Sequence, residues 1–249
     1  MIICKGRAEL ATMREANLIV ARVLNELGRL VRPGVTTGEL DKRAEELIST
    51  AGARSGFKGY HGYPANICTS INEQVVHGIP NGRRLKEGDI ISIDVGVLYH
   101  GFYGDSAWTF PVGELHPETQ RLLTVTREAL YKGIEKAVVT CRVSDISAAV
   151  QEHVEKHGFS VVRDFVGHGV GTSLHEEPQV PNYGKPGRGP RLQAGMVLAI
   201  EPMVNSKGPG VRVLGDRWTA VTADGGLSAH FEHSVAVTEN GPWILSELD

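Results

Sequence analysis

The sequence predicts an α+β fold with helices covering an antiparallel sheet, and three observations carry that expectation. Apolar residues recur at helical spacing in two separate pairs of segments. Strand-like runs rich in Ile and Val follow each pair. A stretch of the first half is echoed in the second half at a near-constant offset. The order helices, strands, helices, strands differs from the strict alternation that builds a parallel sheet.

The first helix is expected over about residues 8–31. Met13, Ala16, Val20, Val23, Leu24, Leu27 and Val31 recur at spacings of three and four, and Pro33-Gly34 stops it. Thr36 with Glu39 forms a capping box that opens a second helix through Leu40, Ala44, Leu47 and Ile48, closed by Gly52. Pro117 suits the first turn of a third helix through Leu122, Val125, Ala129 and Ala137. Ser144 is expected to cap a fourth through Ile146, Val150 and Val154, ending at Gly158. Strands are expected at 89–97 and 102–110, joined by a turn at Tyr99-His100-Gly101. Further strands are expected at 197–204, 218–222 and 230–237.

The echo is specific. Residues 84–94 align with 191–201, with Arg, Leu, Gly and Ile matched in place and a carboxylate ending each run. Glu201 follows Asp94 by 107 residues, and Ser144 follows Thr36 by 108. A second echo sets Val76-His77-Gly78-Ile79 against Gly167-His168-Gly169-Val170. The expectation is one domain over residues 1–249, built of half-repeats at about 8–112 and 116–249, with one site at the seam.

Composition excludes several classes. Hydrophobic residues make up 41% and charged residues 22%, which suits a globular chain. The formal charge of −3 is not that of a nucleic-acid binder. No apolar run reaches the ~18 residues of a membrane span, and the N-terminus lacks a signal-peptide core. Cys4, Cys68 and Cys141 are odd in number and far apart, so they read as reduced thiols in a cytoplasmic protein. A monomer is the default expectation.

The chemistry lies in acids placed where acids are costly. Asp94 ends an Ile-Ile-Ser-Ile run, Glu201 ends a Met-Val-Leu-Ala-Ile run, and Glu232 sits between Phe231 and a Val-Ala-Val stretch. An unpaired buried carboxylate costs several kcal/mol, and these strands carry almost no Lys or Arg. A hairpin centred between Tyr99 and His100 would set Asp94 directly opposite Asp105, so that the two need a cation between them. His168 lies between Gly167 and Gly169, which would leave room for a ligand. Asp94, Asp105, His168, Glu201 and Glu232 offer four carboxylates and one imidazole. That set suits two divalent ions sharing carboxylates, of the Mn, Fe, Co or Zn kind.

These residues carry a resemblance. Phe165-Val166-Gly167-His168-Gly169-Val170-Gly171, then His175, then Val180-Pro181-Asn182-Tyr183 is similar to the signature of type I methionine aminopeptidases. Ser92-Ile93-Asp94-Val95-Gly96, Gly104-Asp105, Ile200-Glu201-Pro202-Met203 and Phe231-Glu232-His233 also match, and the likeness runs to about Val237. The resemblance implies the pita-bread fold, two pseudo-symmetric halves with an antiparallel sheet covered by helices. It also implies removal of the initiator methionine from nascent polypeptides when the second residue is small. Asp94, Asp105 and Glu232 would hold one ion, and Asp105, His168, Glu201 and Glu232 the other. Glu201 would be the general base. His175 would steady the scissile carbonyl, and His77 would contact the nitrogen side of the bond. Tyr60, Tyr63, Cys68 and Trp218 match positions lining the methionine pocket, with Phe57 and Leu174 beside them.

Two other readings compete. Prolidase and aminopeptidase P share the fold but usually carry an N-terminal domain, for which a first helix near residue 8 is expected to leave no room. A non-catalytic pita-bread binding module is expected to lose ligands, and here all five are present. The insertion of type II enzymes finds no space between Glu201 and Glu232. Transient ribosome contact would use the catalytic domain's own surface, with the basic loop Lys185, Arg188 and Arg191 as its expected place.

Overall fold

Helix starts follow local hydrogen-bond chemistry. In the computed structural model, which describes residues 1–248, α1 spans Arg7–Leu30, and the Glu9 carboxylate accepts the Gly6 N–H at 2.7 Å. Before α2 (Thr37–Thr50), the Thr36 hydroxyl accepts the Glu39 N–H and Glu39 accepts the Thr36 N–H, the reciprocal box expected there. Helix α3 (Pro117–Ile134) begins on its proline. Helix α4 (Val143–Lys156) corrects the expectation for Ser144. Asp145 accepts the Arg142 N–H at 2.7 Å, while the Ser144 hydroxyl exchanges hydrogen bonds with the Arg188 backbone. A carboxylate at the third helical position reaches back to the cap, and the serine ties down a loop instead.

The first half contributes β1 (Arg54–Ser55), β2 (Cys68–Ile71), β3 (Gln74–Val76), β4 (Ile90–Tyr99) and β5 (Phe102–Pro111). The second contributes β6 (Ser160–Val161), β7 (Gly167–Gly169), β8 (Glu176–Val180), β9 (Val197–Ile200) and β10 (Met203–Asn205). It continues with β11 (Val211–Val213), β12 (Ala220–Thr222), β13 (Ser228–His230), β14 (His233–Thr238) and β15 (Gly241–Ile244). In one sheet β4 pairs with β1, β2 and β5, and another runs β15-β14-β9-β7-β8. Two three-stranded sheets run β13-β10-β6 and β11-β12-β3. Every pairing is antiparallel among the described residues.

Two cores lie under the helix pairs. Val20, Leu27 and Leu40 of α1 and α2 pack with Ile91 and Ile93 of β4. Leu122, Leu130 and Val150 of α3 and α4 pack with Leu198, Ile200 and Val235. Each pair buries its apolar stripe against its own strands.

The β4–β5 register corrects a second expectation. His100 (φ 47°) and Gly101 (φ 83°) are the two turn residues, and Tyr99 pairs with Phe102. Two left-handed residues match the twist of the strands, which a turn centred one residue earlier would not. Asp94 therefore opposes Ala107, and Asp105 opposes Gly96. Both acids stay on one face as diagonal neighbours, because the shift moves pairing by two residues.

Two strands expected to be continuous are broken. The run 197–204 divides at Glu201-Pro202, and 230–237 divides at Phe231-Glu232. Pro202 has no N–H to donate to a ladder, so the chain leaves the β9 sheet and enters the β10 sheet. The strand expected at 218–222 begins at Ala220.

The halves join by backbone and hydroxyl bonds. Val76 pairs with Ala220, and the Glu232 N–H donates to the Ala107 carbonyl at 2.8 Å. The Thr109 hydroxyl donates to the His230 carbonyl and accepts the His230 N–H. Close approach also governs α1 on β5: a Cβ at Gly104 would stand 2.8 Å from the Ala16 backbone carbonyl carbon and the Asn17 nitrogen. Gly104→Ala is expected to destabilise the protein by about 1–3 kcal/mol through overpacking, read as a lowered urea midpoint. An unchanged midpoint would show that α1 does not need that contact.

Candidate metal centre and substrate cavity

The acids converge because the sheets meet where they sit. Asp94 and Asp105 come from the β4–β5 hairpin. Glu201 and Glu232 occupy the two strand breaks. His168 is central in β7, between glycines that serve packing. A Cβ on Gly167 or Gly169 would collide with the Ala199 or Glu177 carbonyl, so the space expected for a ligand admits neighbouring strands instead.

Ligand atoms of Asp105, His168 and Glu232 lie within 4.8 Å of one another. His168 Nε2 is 3.5 Å from Glu201 Oε1 and 3.8 Å from Asp105 Oδ2. Its Nδ1 bonds the Gly169 carbonyl at 2.9 Å. The Nδ1 proton is thereby held by the backbone, and the bare Nε2 lone pair faces the carboxylates. The backbone is braced as well. Ser106 Oγ donates to the Glu232 carbonyl, Ser234 Oγ to that of Asp105, and Asn182 Nδ2 to that of Glu201. Asn17 Oδ1 accepts the Asp105 N–H.

The residues fit a divalent cation. Asp94 Oδ1, Asp105 Oδ1 and Glu232 Oε1 are buried and have no hydrogen-bond partner within the protein. Burial pushes all four carboxyls up. Asp94 reaches about 7, with His230 partly opposing and Glu201 adding to the rise. Asp105 and Glu232 are raised by burial and then by neighbouring carboxylates, and Glu201 by burial. Burial lowers His168 to about 3 and His77 to about 4, which keeps both rings neutral near pH 7. Such a site is unfavourable until a cation enters it.

A cavity of about 390 Å³ opens beside the acids. Asp94, Asp105, His168, Glu201 and Glu232 line it together with His77, His175, Tyr60, Tyr63, Cys68, Trp218, Phe57 and Leu174. Every metal, catalytic and pocket residue expected from the sequence lines this one cavity, and the basic loop of Lys185, Arg188 and Arg191 does not. Phe57, Tyr63, Cys68 and Leu174 form a buried apolar cluster, with Tyr60 and Trp218 packed on it. Tyr63 meets Trp218 edge-on at 5.0 Å, and its hydroxyl donates to the Ile67 and Gly78 carbonyls. His77 has φ 60° and stands edge-on to Phe165 and Trp218. Tyr60 Oη lies 2.7 Å from His175 Nδ1.

Two histidines escaped the sequence reading. His61 lines the cavity at φ 47°, and its only signal is its place beside Tyr60. His230 is buried with Nε2 3.6 Å from Glu201 Oε2. It sits two residues before Glu232, where it reads as an ordinary strand residue.

A neutral imidazole and an acid cluster beneath an apolar cavity form a candidate metal centre of the kind hydrolases use. The chain belongs to metallopeptidase family M24, whose model matches residues 11–239, and it has that family's pita-bread fold. Within the family it is similar along its whole length to methionine aminopeptidases, as the motifs lead one to expect. It is 56% identical to methionine aminopeptidase of Clostridium perfringens over 99% of both chains. It is 55% identical to methionine aminopeptidase 1 of Bacillus subtilis over 100% of both. The crystal structure of methionine aminopeptidase from Thermotoga maritima superimposes with a TM-score of 0.98 at 47% identity, covering 100% of both chains. Membership and the acid cluster together make this a divalent-metal protein. No helix among the described residues is long and apolar enough to cross a membrane.

The raised carboxyls fix the sign of a pH effect. Folded metal-free protein holds protons that the unfolded chain loses above about pH 4. These carboxyls therefore subtract stability as pH rises from about 4, through the Asp94 value of about 7. Metal must displace the same protons. Manganese affinity is expected to rise between pH 5.5 and 7.5, with proton release in calorimetry across buffers of different ionisation enthalpy. Affinity that is flat with pH, without proton release, would show the acids already ionised.

Proposed function

We propose that the protein removes the N-terminal methionine of nascent polypeptides by metal-dependent hydrolysis of the first peptide bond, when the second residue is small. The observation that carries this function is an apolar cavity whose inner wall is the acid cluster. A thioether side chain suits a pocket of aromatic rings and a free thiol. Tyr60, Tyr63, Cys68, Trp218, Phe57 and Leu174 would hold it.

Asp94, Asp105, His168, Glu201 and Glu232 would hold two divalent ions of the Co, Mn, Fe or Zn kind, with Asp105 and Glu232 shared. Bound ions supply Lewis acidity, making a water more acidic and polarising a carbonyl. Glu201, which lines the cavity, would take the water's proton and pass it to the leaving amine. His175 donates to the carbonyl oxygen as charge develops there. His77, held neutral, contacts the scissile nitrogen. Identity over the full length with methionine aminopeptidases supports this assignment over proline-peptide hydrolysis or simple binding.

We read residues 1–249 as one catalytic domain of two half-repeats, a monomer working in the cytoplasm. An isolated bridge joins Thr36 to Arg84, and its counterpart joins Arg142 to Arg191. These follow one another by 106 and 107 residues, which supports the repeat. The exposed loop bearing Lys185, Arg188 and Arg191 would meet the ribosome transiently.

Metal-loaded protein is expected to release methionine from Met-Ala-Ser and to spare Met-Leu-Ser. Glu201→Gln is expected to lower kcat by roughly 10²–10⁴-fold at saturating metal, followed by chromatography of free methionine. Faster cleavage of X-Pro dipeptides than of Met-Ala-Ser would reverse the assignment.

A further inference from the structure

His175 is held from one side by a residue of the other half of the chain. Tyr60 Oη lies 2.7 Å from its Nδ1, and the ring centroids are 5.3 Å apart. On another side the His168 ring meets it at 4.3 Å between centroids. The His175 ring has no other hydrogen bond among the described residues. Nδ1 is therefore spoken for, and Nε2 is the one ring nitrogen left to serve the cavity it lines.

The donor in the Tyr60–His175 pair follows from acidity. A phenol is a stronger acid than a neutral imidazole N–H, and an imidazole nitrogen is a better acceptor than a phenol oxygen. The stable arrangement has the Tyr60 hydroxyl donating to Nδ1. That places the His175 proton on Nε2, the tautomer able to donate to an oxygen in the cavity. The reverse arrangement would present a lone pair to a developing negative charge, which repels it.

The backbone around Tyr60 is built to hold it. Gly59 (φ 88°), His61 (φ 47°) and Gly62 (φ 87°) all lie in the left-handed region. The Tyr60 N–H donates to the Phe57 carbonyl at 2.9 Å, and the Gly59 N–H to that of Tyr63 at 2.8 Å. The His61 ring stands edge-on to Tyr60 at 4.4 Å. A tight turn thus presents one hydroxyl to one imidazole.

We propose that Tyr60 is a positioning residue as well as a pocket wall: its hydroxyl fixes His175 as the Nε2–H tautomer and orients that N–H for the scissile carbonyl. This role rests on the function proposed above. Tyr60→Phe keeps the ring and removes only the hydroxyl. It is expected to lower kcat for Met-Ala-Ser by roughly tenfold, the worth of one hydrogen bond, with KM held within about twofold. In a His175→Ala background the same substitution is expected to change kcat by less than about twofold, because its route is gone.

A readout free of turnover accompanies the kinetics. In zinc-loaded protein labelled with ¹⁵N-histidine, His175 is assigned by its loss in His175→Ala. Its Nε2 should resonate as a protonated nitrogen and its Nδ1 as a bare, hydrogen-bonded one. In Tyr60→Phe the two resonances should move toward each other as tautomers mix. Wild-type protein with the proton on Nδ1 overturns the proposal, even if Tyr60→Phe fails to fold. So does a Tyr60→Phe loss confined to KM, or a kcat loss with the His175 resonances unmoved. Failure of wild-type protein to release methionine would instead sink the functional assignment and leave the tautomer measurement standing.

Discussion

Four carboxylates share one water-poor seam, and much else in the structure answers to that constraint. Charges of one sign cannot crowd together in a low-dielectric site without a cation or protons between them. The fold holds them there by bracing backbone rather than by pairing charge. Ser106, Ser234 and Asn182 each bond a backbone carbonyl of an acid-bearing residue rather than its carboxylate. His168 is treated the same way, with its outer nitrogen tied to the backbone and its inner one left bare.

The same constraint shapes the sheets. Asp94 and Asp105 reach the seam from one face of the unbroken β4–β5 hairpin. Glu201 and Glu232 reach it differently, by sitting where β9 passes into β10 and β13 into β14. Those transitions carry the chain from one sheet to another, so each acid lies between sheets. The cavity then forms against this floor, with walls drawn from both halves.

How much could be read beforehand follows the range of the forces. Helix starts at Gly6, Thr36 and Pro117 depend on residues within a turn, and both pairs of helices are legible as periodic stripes. Ser144 misled because two residues in the first turn can both cap, and only the distant Arg188 loop shows which does. The hairpin register turned on whether Tyr99-His100 or His100-Gly101 carries the left-handed pair, a choice of twist invisible to hydrophobic pattern. The strand break at Pro202 was legible in principle. The break at Glu232 was not, since nothing in Phe231-Glu232 prevents a ladder. The acids themselves stood out because burial makes them expensive. His230 did not, because its meaning depends on Glu201, which lies far away in sequence.

The seam bonds carry a last consequence. Neither half owns a complete centre: Asp94 and Asp105 belong to one, and His168, Glu201 and Glu232 to the other. Even the hydroxyl that holds His175 reaches it across the divide. The acid cluster and the cavity walls come together only where the two parts of the chain meet. Loosening the seam bonds would therefore scatter the acids and open the cavity in one event.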